Sequence, residues 1–124
     1  MRTTILAAIM LALPGAAAEQ DRFDLICTAK KETVRYRIDL TAGEWCADQC
    51  TSVNKIAEVT SGMITLYEEK AVTANGPYSY GRINRLTGEW KRASWTPSYN
   101  SFFSSTGSCT PASFSGLNAG SRKF

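Results

Sequence analysis

The chain has 124 residues, with 14 basic and 11 acidic side chains and no histidine. The absence of histidine removes the usual general base and the commonest metal ligand, which excludes Ser-His-Asp and Cys-His enzymes. The basic residues are scattered instead of forming a concentrated face, so the sequence does not favour nucleic-acid binding.

The first 18 residues have the pattern of a cleaved signal peptide. Arg2 precedes an apolar run at 5–13, Pro14 and Gly15 then break the helix, and 16–18 are three alanines. This order matches the basic, apolar and small-residue regions that signal peptidase recognises. The apolar run is far shorter than the roughly 20 residues of a spanning helix, so we expect no stable membrane insertion. The pattern predicts cleavage after Ala18, export to the periplasm or medium, and one domain over 19–124.

The exported part has the alternating pattern of β-strands. Val34, Tyr36, Ile38 and Leu40 alternate with charged residues, so one face of this strand is expected to be buried and the other solvated. The sequence therefore predicts an all-β domain, a small antiparallel meander closed as a barrel or folded as a sandwich. Seven strands are predicted, at residues 23–29, 34–40, 44–47, 55–60, 63–69, 78–84 and 89–95.

One hairpin pattern occurs twice, at 37–45 and 82–90. In each copy an Asp or Asn precedes a turn that ends in Gly-Glu-Trp. The carboxylate or amide can accept hydrogen bonds from the turn, and the glycine can adopt positive φ, which predicts a type I turn with a bulge. Trp45 and Trp90 could form a symmetric ligand clamp, but recurring core-filling aromatic residues are the preferred interpretation.

Cys27, Cys46, Cys50 and Cys109 all follow the predicted cleavage site. In an oxidising compartment an even number of cysteines in a small domain indicates two disulfides, and three pairings are possible. If a turn lets Cys46 pair with Cys50, then Cys27 must pair with Cys109. A zinc site is the rival interpretation, but the spacing does not match a zinc motif and the chain offers no histidine.

Aromatic and basic residues concentrate in the second half of the chain. They predict either a binding surface for a protein or glycan, because Tyr, Trp and Arg dominate binding hot spots, or ordinary cross-strand pairing. Residues 96–108 are predicted to be a serine-rich loop, and 116–124 a frayed tail. Phe102 and Phe103 either pack into the core, which is the preferred interpretation, or lie exposed as part of a contact surface. The candidate surface consists of Tyr78, Tyr80, Arg82, Trp90, Trp95, Tyr99, Phe102 and Phe103.

No combination of residues indicates an enzyme, a cofactor or a metal. Glu44 and Glu89 occupy matching positions in the two hairpins and are the only carboxylate pair worth testing for acid and base roles. The sequence therefore predicts no catalytic residue, no cofactor and no metal ion. We expect a monomer whose partner is an unknown protein or glycan of the cell envelope.

Six short motifs are spread along the predicted exported domain, at residues 23–27, 36–40, 45–46, Cys50, 83–88 and 107–109. Their order resembles a group of small, uncharacterised exported proteins of alphaproteobacteria. The resemblance implies a periplasmic or secreted location and no particular activity. The expected architecture is also similar to that of periplasmic lysozyme and protease inhibitors. We therefore expect a non-catalytic binding or structural module, with enzyme inhibition through residues 96–108 as the alternative.

Overall fold

The computed structural model describes residues 21–117 and confirms an all-β fold. The predicted signal peptide at 1–18 lies outside these residues. No helix within 21–117 has both the length and the apolar character needed to cross a bilayer. The elements are β1 (Arg22–Ala29), β2 (Glu32–Asp39), β3 (Glu44–Ala47), β4 (Asn54–Lys55), β5 (Glu58–Val59), β6 (Met63–Glu69), β7 (Tyr78–Asn84), β8 (Glu89–Thr96), a 3₁₀ turn (Pro97–Tyr99) and β9 (Ser101–Ala112).

The nine strands form one antiparallel sheet in the order β4-β3-β2-β1-β9-β8-β7-β6-β5. The sheet curls into a half-barrel, so the prediction of a closed barrel or a sandwich was wrong in this detail. Its two edge strands, β4 and β5, belong to one short stretch of chain. Within that stretch, the Ile56 N–H donates to the Gly43 carbonyl (2.9 Å) and the Ala57 N–H donates to the Thr65 carbonyl (2.9 Å). These bonds connect the stretch to β3 on one side and β6 on the other.

Two strand predictions need correction. The strand predicted at 55–60 is divided into β4 and β5, because the chain changes partner between them. The loop predicted at 96–108 is a 3₁₀ turn followed by the twelve-residue strand β9. The serine-rich sequence of β9 lacks apolar alternation, but hydrogen bonds to β8 and β1 make it a strand.

The inner face of the curled sheet forms the core. Tyr36 lies near its centre, and its ring meets Trp45 and Trp90 edge-on at centroid distances of 5.6 and 5.8 Å. The Trp45 indole N–H donates to the Leu66 carbonyl (3.0 Å). Both repeated tryptophans thus pack in the interior, as the core-filling interpretation predicts. The buried cluster consists of Leu25, Cys27, Ala29, Tyr36, Ile38, Ile64, Leu66, Ile83, Trp90 and Cys109.

The repeated hairpin has the predicted turn geometry in both copies. The Asp39 carboxylate accepts the Ala42 N–H (2.9 Å), and Gly43 has a φ of 72°. The Asn84 side chain accepts two turn N–H groups at 2.8 and 3.0 Å, and Gly88 has a φ of 81°. The glycines supply the positive φ at which an L side chain would be strained.

The structure contains two disulfides, Cys27–Cys109 and Cys46–Cys50. The first joins directly opposed residues of β1 and β9, and the second closes the turn after β3. All four thiols are therefore oxidised, which leaves no thiolate for the rival zinc site.

The chain after β9 lies against the outer face of β1 and β2. The Asp24 carboxylate is fully buried and accepts hydrogen bonds from Arg35 Nε (2.5 Å) and from the Ser115 hydroxyl (2.5 Å). Arg37 donates to the Gly116 carbonyl at 3.0 Å. A buried carboxylate is costly unless it is paired in this way, so Asp24 fixes the path of residues 113–117. The tail from 118 onward lies outside the described residues.

Candidate binding surfaces

A row of aromatic side chains crosses the outer face of β7, β8 and β9. Tyr78 is directly opposite Trp95, and Trp95 is directly opposite Phe102. Strand alternation places all three on the face away from the core. The Trp95 indole N–H donates to the Asn75 carbonyl (3.2 Å), which fixes the orientation of the ring. This row contains three of the eight predicted surface residues.

Tyr80 and Arg82 lie beside this row and are satisfied by local partners. The Arg82 guanidinium lies 4.0 Å from the centre of the Tyr80 ring and forms an ion pair with Glu68 at 3.0 Å. The first interaction joins residues two positions apart on β7, and the second joins residues on the neighbouring strands β7 and β6. They are the ordinary pairing that competes with the binding interpretation, so neither residue marks a binding site.

Trp90 does not belong to the candidate surface. Only 1 % of its area is exposed, because alternation along β8 turns it toward the core. Its ring packs under the Arg92 guanidinium at 3.9 Å. The predicted role of Trp90 in surface binding was therefore wrong, and its role is packing.

The hairpin between β8 and β9 exposes three aromatic rings at one corner of the molecule. Pro97–Tyr99 forms the 3₁₀ turn, and Asn100 closes it in the left-handed conformation with a φ of 49°. Tyr99, Phe102 and Phe103 are 82 %, 62 % and 45 % exposed. The prediction that the two phenylalanines pack into the core was wrong, since this part of β9 extends beyond the core.

The first half of β9 is an unpaired edge. β1 pairs with β9 only from Ser108 to Ala112, whereas β8 pairs with it from Ser101 to Ser108. Residues 101–106 therefore have a neighbouring strand on one side only, whereas Gly107 still adjoins the end of β1 at Thr28 and Ala29. Residues 101–104 are all exposed. We call residues 101–106 the free edge.

The hydrogen-bonding direction along the free edge follows from the register. The Cys109 N–H donates to the opposed Gly88 carbonyl, so odd-numbered residues of β9 direct their main-chain N–H and C=O groups toward β8. In an antiparallel strand the even-numbered residues then direct their N–H and C=O groups the other way. Phe102 and Ser104 thus present main-chain donors and acceptors to solvent along the free edge. No proline, lysine or other charged residue protects this edge.

Two lysines lie at the inner end of the free edge. Lys30 and Lys31 form the β1–β2 turn, just after Thr28, the residue that pairs with Ser108. Both are exposed, and within residues 21–117 neither has a carboxylate within ion-pair distance. The turn therefore adds positive charge where β9 separates from β1.

An ion pair lies at the same end of the half-barrel as the turn that carries Lys30 and Lys31. Arg92 Nη2 donates to Glu32 (2.6 Å) and also lies 3.3 Å from the Ser105 hydroxyl. This hydrogen bond from Arg92 lowers the pKa of Glu32 below its ordinary value. Burial raises the pKa of the neighbouring Tyr36 hydroxyl to about 12, so it stays protonated at physiological pH. The Arg92 guanidinium also lies 5.4 Å from the centre of the Phe103 ring, on the inner face.

The two predicted carboxylates do not meet. Glu44 begins β3 and Glu89 begins β8, and three strands lie between β3 and β8 in the sheet. The adjacent Trp45 and Trp90 pack in the core, so strand alternation directs both carboxylates away from the interior, and they do not face a common cleft.

Sequence reasoning located most of the exposed aromatic residues but missed the free edge and the lysine turn beside it. The available signal was the run Ser-Phe-Phe-Ser-Ser-Thr, which has strand-forming aromatic residues and no charge. No protein-family model matches the chain, and no match was found among curated proteins or solved structures.

Proposed function

We propose that the protein is an exported, non-catalytic binding module that captures an extended segment of a partner protein in the cell envelope. The observation that supports this most directly is the free edge, where β9 has one neighbouring strand and an uncharged sequence. A peptide can add to such an edge as a further strand, with main-chain hydrogen bonds supplying affinity. The two disulfides are compatible with a periplasmic or secreted location.

The side chains around the free edge suggest what the captured segment contains. Phe102 lies on the outer face and Phe103 on the inner face, so an added strand would find an apolar contact on each side. Lys30 and Lys31 would lie near one end of that strand. The best-fitting partner is therefore an extended segment with alternating apolar residues and an acidic residue at the lysine end.

A single substitution tests this mode of binding. The Ser104 N–H faces away from β8, so Ser104→Pro removes a donor of the free edge and leaves the β8 hydrogen bonds in place. Ser104→Ala is the matched control, because it keeps the N–H. We would select heptapeptides from a random displayed library against the oxidised protein and measure the affinity of the enriched peptides for all three forms.

We expect enriched peptides that are acidic and rich in β-branched residues. They should bind Ser104→Ala normally and Ser104→Pro at least tenfold more weakly. The amides of Phe102 and Ser104 should also become protected from hydrogen exchange when peptide binds. Equal binding to Ser104→Pro, or a selection that enriches no peptide, would contradict strand addition.

A second candidate function is inhibition of a lysozyme or protease, and the position of Tyr99 favours it. Tyr99 is the most exposed aromatic residue at the β8–β9 corner and is held on a closed 3₁₀ turn. A rigid projecting residue can enter an enzyme cleft with little loss of conformational entropy. An inhibitor of this kind would lose potency through Tyr99→Ser but not through Ser104→Pro, whereas strand capture predicts the opposite result. Inhibition assays against a panel of lysozymes and secreted proteases separate the two functions.

A further inference from the structure

A cavity of about 610 Å³ opens at the end of the half-barrel opposite the β8–β9 corner. This volume lies within the range of pockets that hold small molecules. The ends of four strands form its walls: β1, β6, β7 and β9. The apolar wall residues are Phe23, Leu25, Ile64, Ile83, Cys109 and Pro111.

Pro111 extends the apolar wall without leaving a main-chain donor unpaired. Position 111 is odd-numbered, so any other residue there would direct its main-chain N–H toward the β8 side of the strand. The ladder with β8 begins only at Glu89 and Ser108, so no acceptor strand is present there. Proline has no N–H to satisfy at this position. The wall can therefore contact an apolar group without leaving an unsatisfied donor.

The rim of the cavity carries one positive charge. Arg85 lies in the turn just after β7 and contributes to the lining at the cavity mouth. Its Nη1 donates to the Thr60 carbonyl (2.8 Å), and its main-chain N–H donates to the Gly62 carbonyl (2.9 Å). Within residues 21–117 no carboxylate lies at ion-pair distance from Arg85. The guanidinium is thus fixed in position and retains donors for an anion.

The two other polar residues of the rim, Asn84 and Thr87, are uncharged and take part in the β7–β8 turn. The Asn84 oxygen accepts the N–H groups of Leu86 and Thr87, and the Thr87 hydroxyl accepts the Glu89 N–H (3.2 Å). The cavity therefore combines an apolar interior with a single positively charged rim.

From this combination we propose that the cavity binds a single-chain amphiphile with an anionic head, such as an alkyl carboxylate. The chain lies against the apolar walls, and the carboxylate pairs with the Arg85 guanidinium at the rim. Burial of one methylene group contributes enough free energy to tighten binding about threefold to fourfold. Affinity should therefore rise steeply with chain length until the cavity is filled, and it should depend on the sign of the head-group charge.

Calorimetric titration of the oxidised protein tests this inference with octanoate, decanoate and dodecanoate below their micelle concentrations. Dodecyltrimethylammonium serves as the probe of opposite charge, and dodecanol as the neutral probe. Each added pair of methylenes should lower the dissociation constant roughly tenfold. Dodecanoate should bind at least tenfold more tightly than the cationic probe.

Two variants locate the site. Arg85→Gln should remove the preference for carboxylate over alcohol while retaining the dependence on chain length. Pro111→Trp should fill the cavity and abolish binding of every chain. Lys91→Gln, on the outer face of β8, is the matched control for loss of a positive charge and should change neither property.

Thermal unfolding of each variant shows that it remains folded. Absence of saturable dodecanoate binding, equal affinity for the cationic probe, or unchanged binding in folded Pro111→Trp would overturn the inference. Binding that is lost in Phe102→Ser and unchanged in Pro111→Trp would place the amphiphile on the β8–β9 corner and would equally overturn it.

Discussion

The two disulfides should differ strongly in their contributions to stability, although both join buried cysteines. Cys27–Cys109 links positions 82 residues apart, and Cys46–Cys50 links positions 4 residues apart. In the loop-entropy model, the first crosslink restricts the unfolded chain by about 4.5 kcal/mol and the second by about 2 kcal/mol. The expected difference is therefore about 2.5 kcal/mol, which corresponds to roughly 10 to 20 °C in melting temperature for a domain of this size.

The double variants Cys27→Ala/Cys109→Ala and Cys46→Ala/Cys50→Ala make this comparison. All four cysteines are at most 8 % exposed, so the cost of replacing buried sulfur is similar in both variants and largely cancels. Equilibrium urea unfolding should give a much lower midpoint for the first variant. Its denaturant slope should also rise, because the unfolded chain without the long crosslink exposes more surface.

Equal losses in the two variants, or a larger loss in Cys46→Ala/Cys50→Ala, would refute the loop-entropy reasoning. A larger loss in the short-loop variant would instead mean that the turn after β3 organises more of the sheet than its loop length implies. Reduction of the wild-type protein provides the control, because it breaks both crosslinks and adds only two hydrogens per disulfide.

Three further predictions concern single residues. Gly107→Ala should destabilise the protein by at least about 2 kcal/mol in urea unfolding, because a Cβ there would overlap the Thr28 carbonyl oxygen. Glu32→Gln should make the free energy of unfolding less sensitive to acid. Because Arg92 lowers the pKa of Glu32, the ionised carboxylate stabilises the fold above the ordinary pKa of 4.5, by under about 1 kcal/mol at this exposed position. That contribution is lost as the pH falls below 4.5 and through the lowered pKa of the folded state. Trp45→Phe should cost about 0.5 to 1.5 kcal/mol, seen as a lower thermal midpoint, because it removes the indole hydrogen bond to the Leu66 carbonyl of β6 and leaves only the longer bond from the Ala57 N–H (3.3 Å).

Local sequence patterns predicted most of the sheet. The bounds of β3, β6 and β7 agree with the predicted ranges 44–47, 63–69 and 78–84, and both repeated turns have the predicted glycine geometry. These elements are determined by alternation and turn residues close together in the chain. β9 could not be found in this way, since its strand character comes from neighbours that are remote in sequence.

The candidate surfaces depend on the same non-local information. The exposure of Phe102 follows from the offset between the pairing of β9 with β8 and its pairing with β1. No pattern within residues 101–106 encodes that offset. Likewise, the cavity forms where the ends of four strands meet, so its wall residues are scattered along the chain.

The adjacency of β1 and β9 has a consequence for the order in which the chain can fold. The hairpins β1–β2, β2–β3, β6–β7, β7–β8 and β8–β9 need only neighbouring sequence, but β1 pairs on its second side with β9, the last of the described strands. In the export that we propose, Cys27 would enter the oxidising compartment first and would stay without its native partner until Cys109 arrives. In that interval the thiols of Cys46 and Cys50 are within reach of it, so non-native crosslinks compete. Maturation is therefore completed by a late, long-range ring closure, and thiol–disulfide exchange is expected to limit its rate.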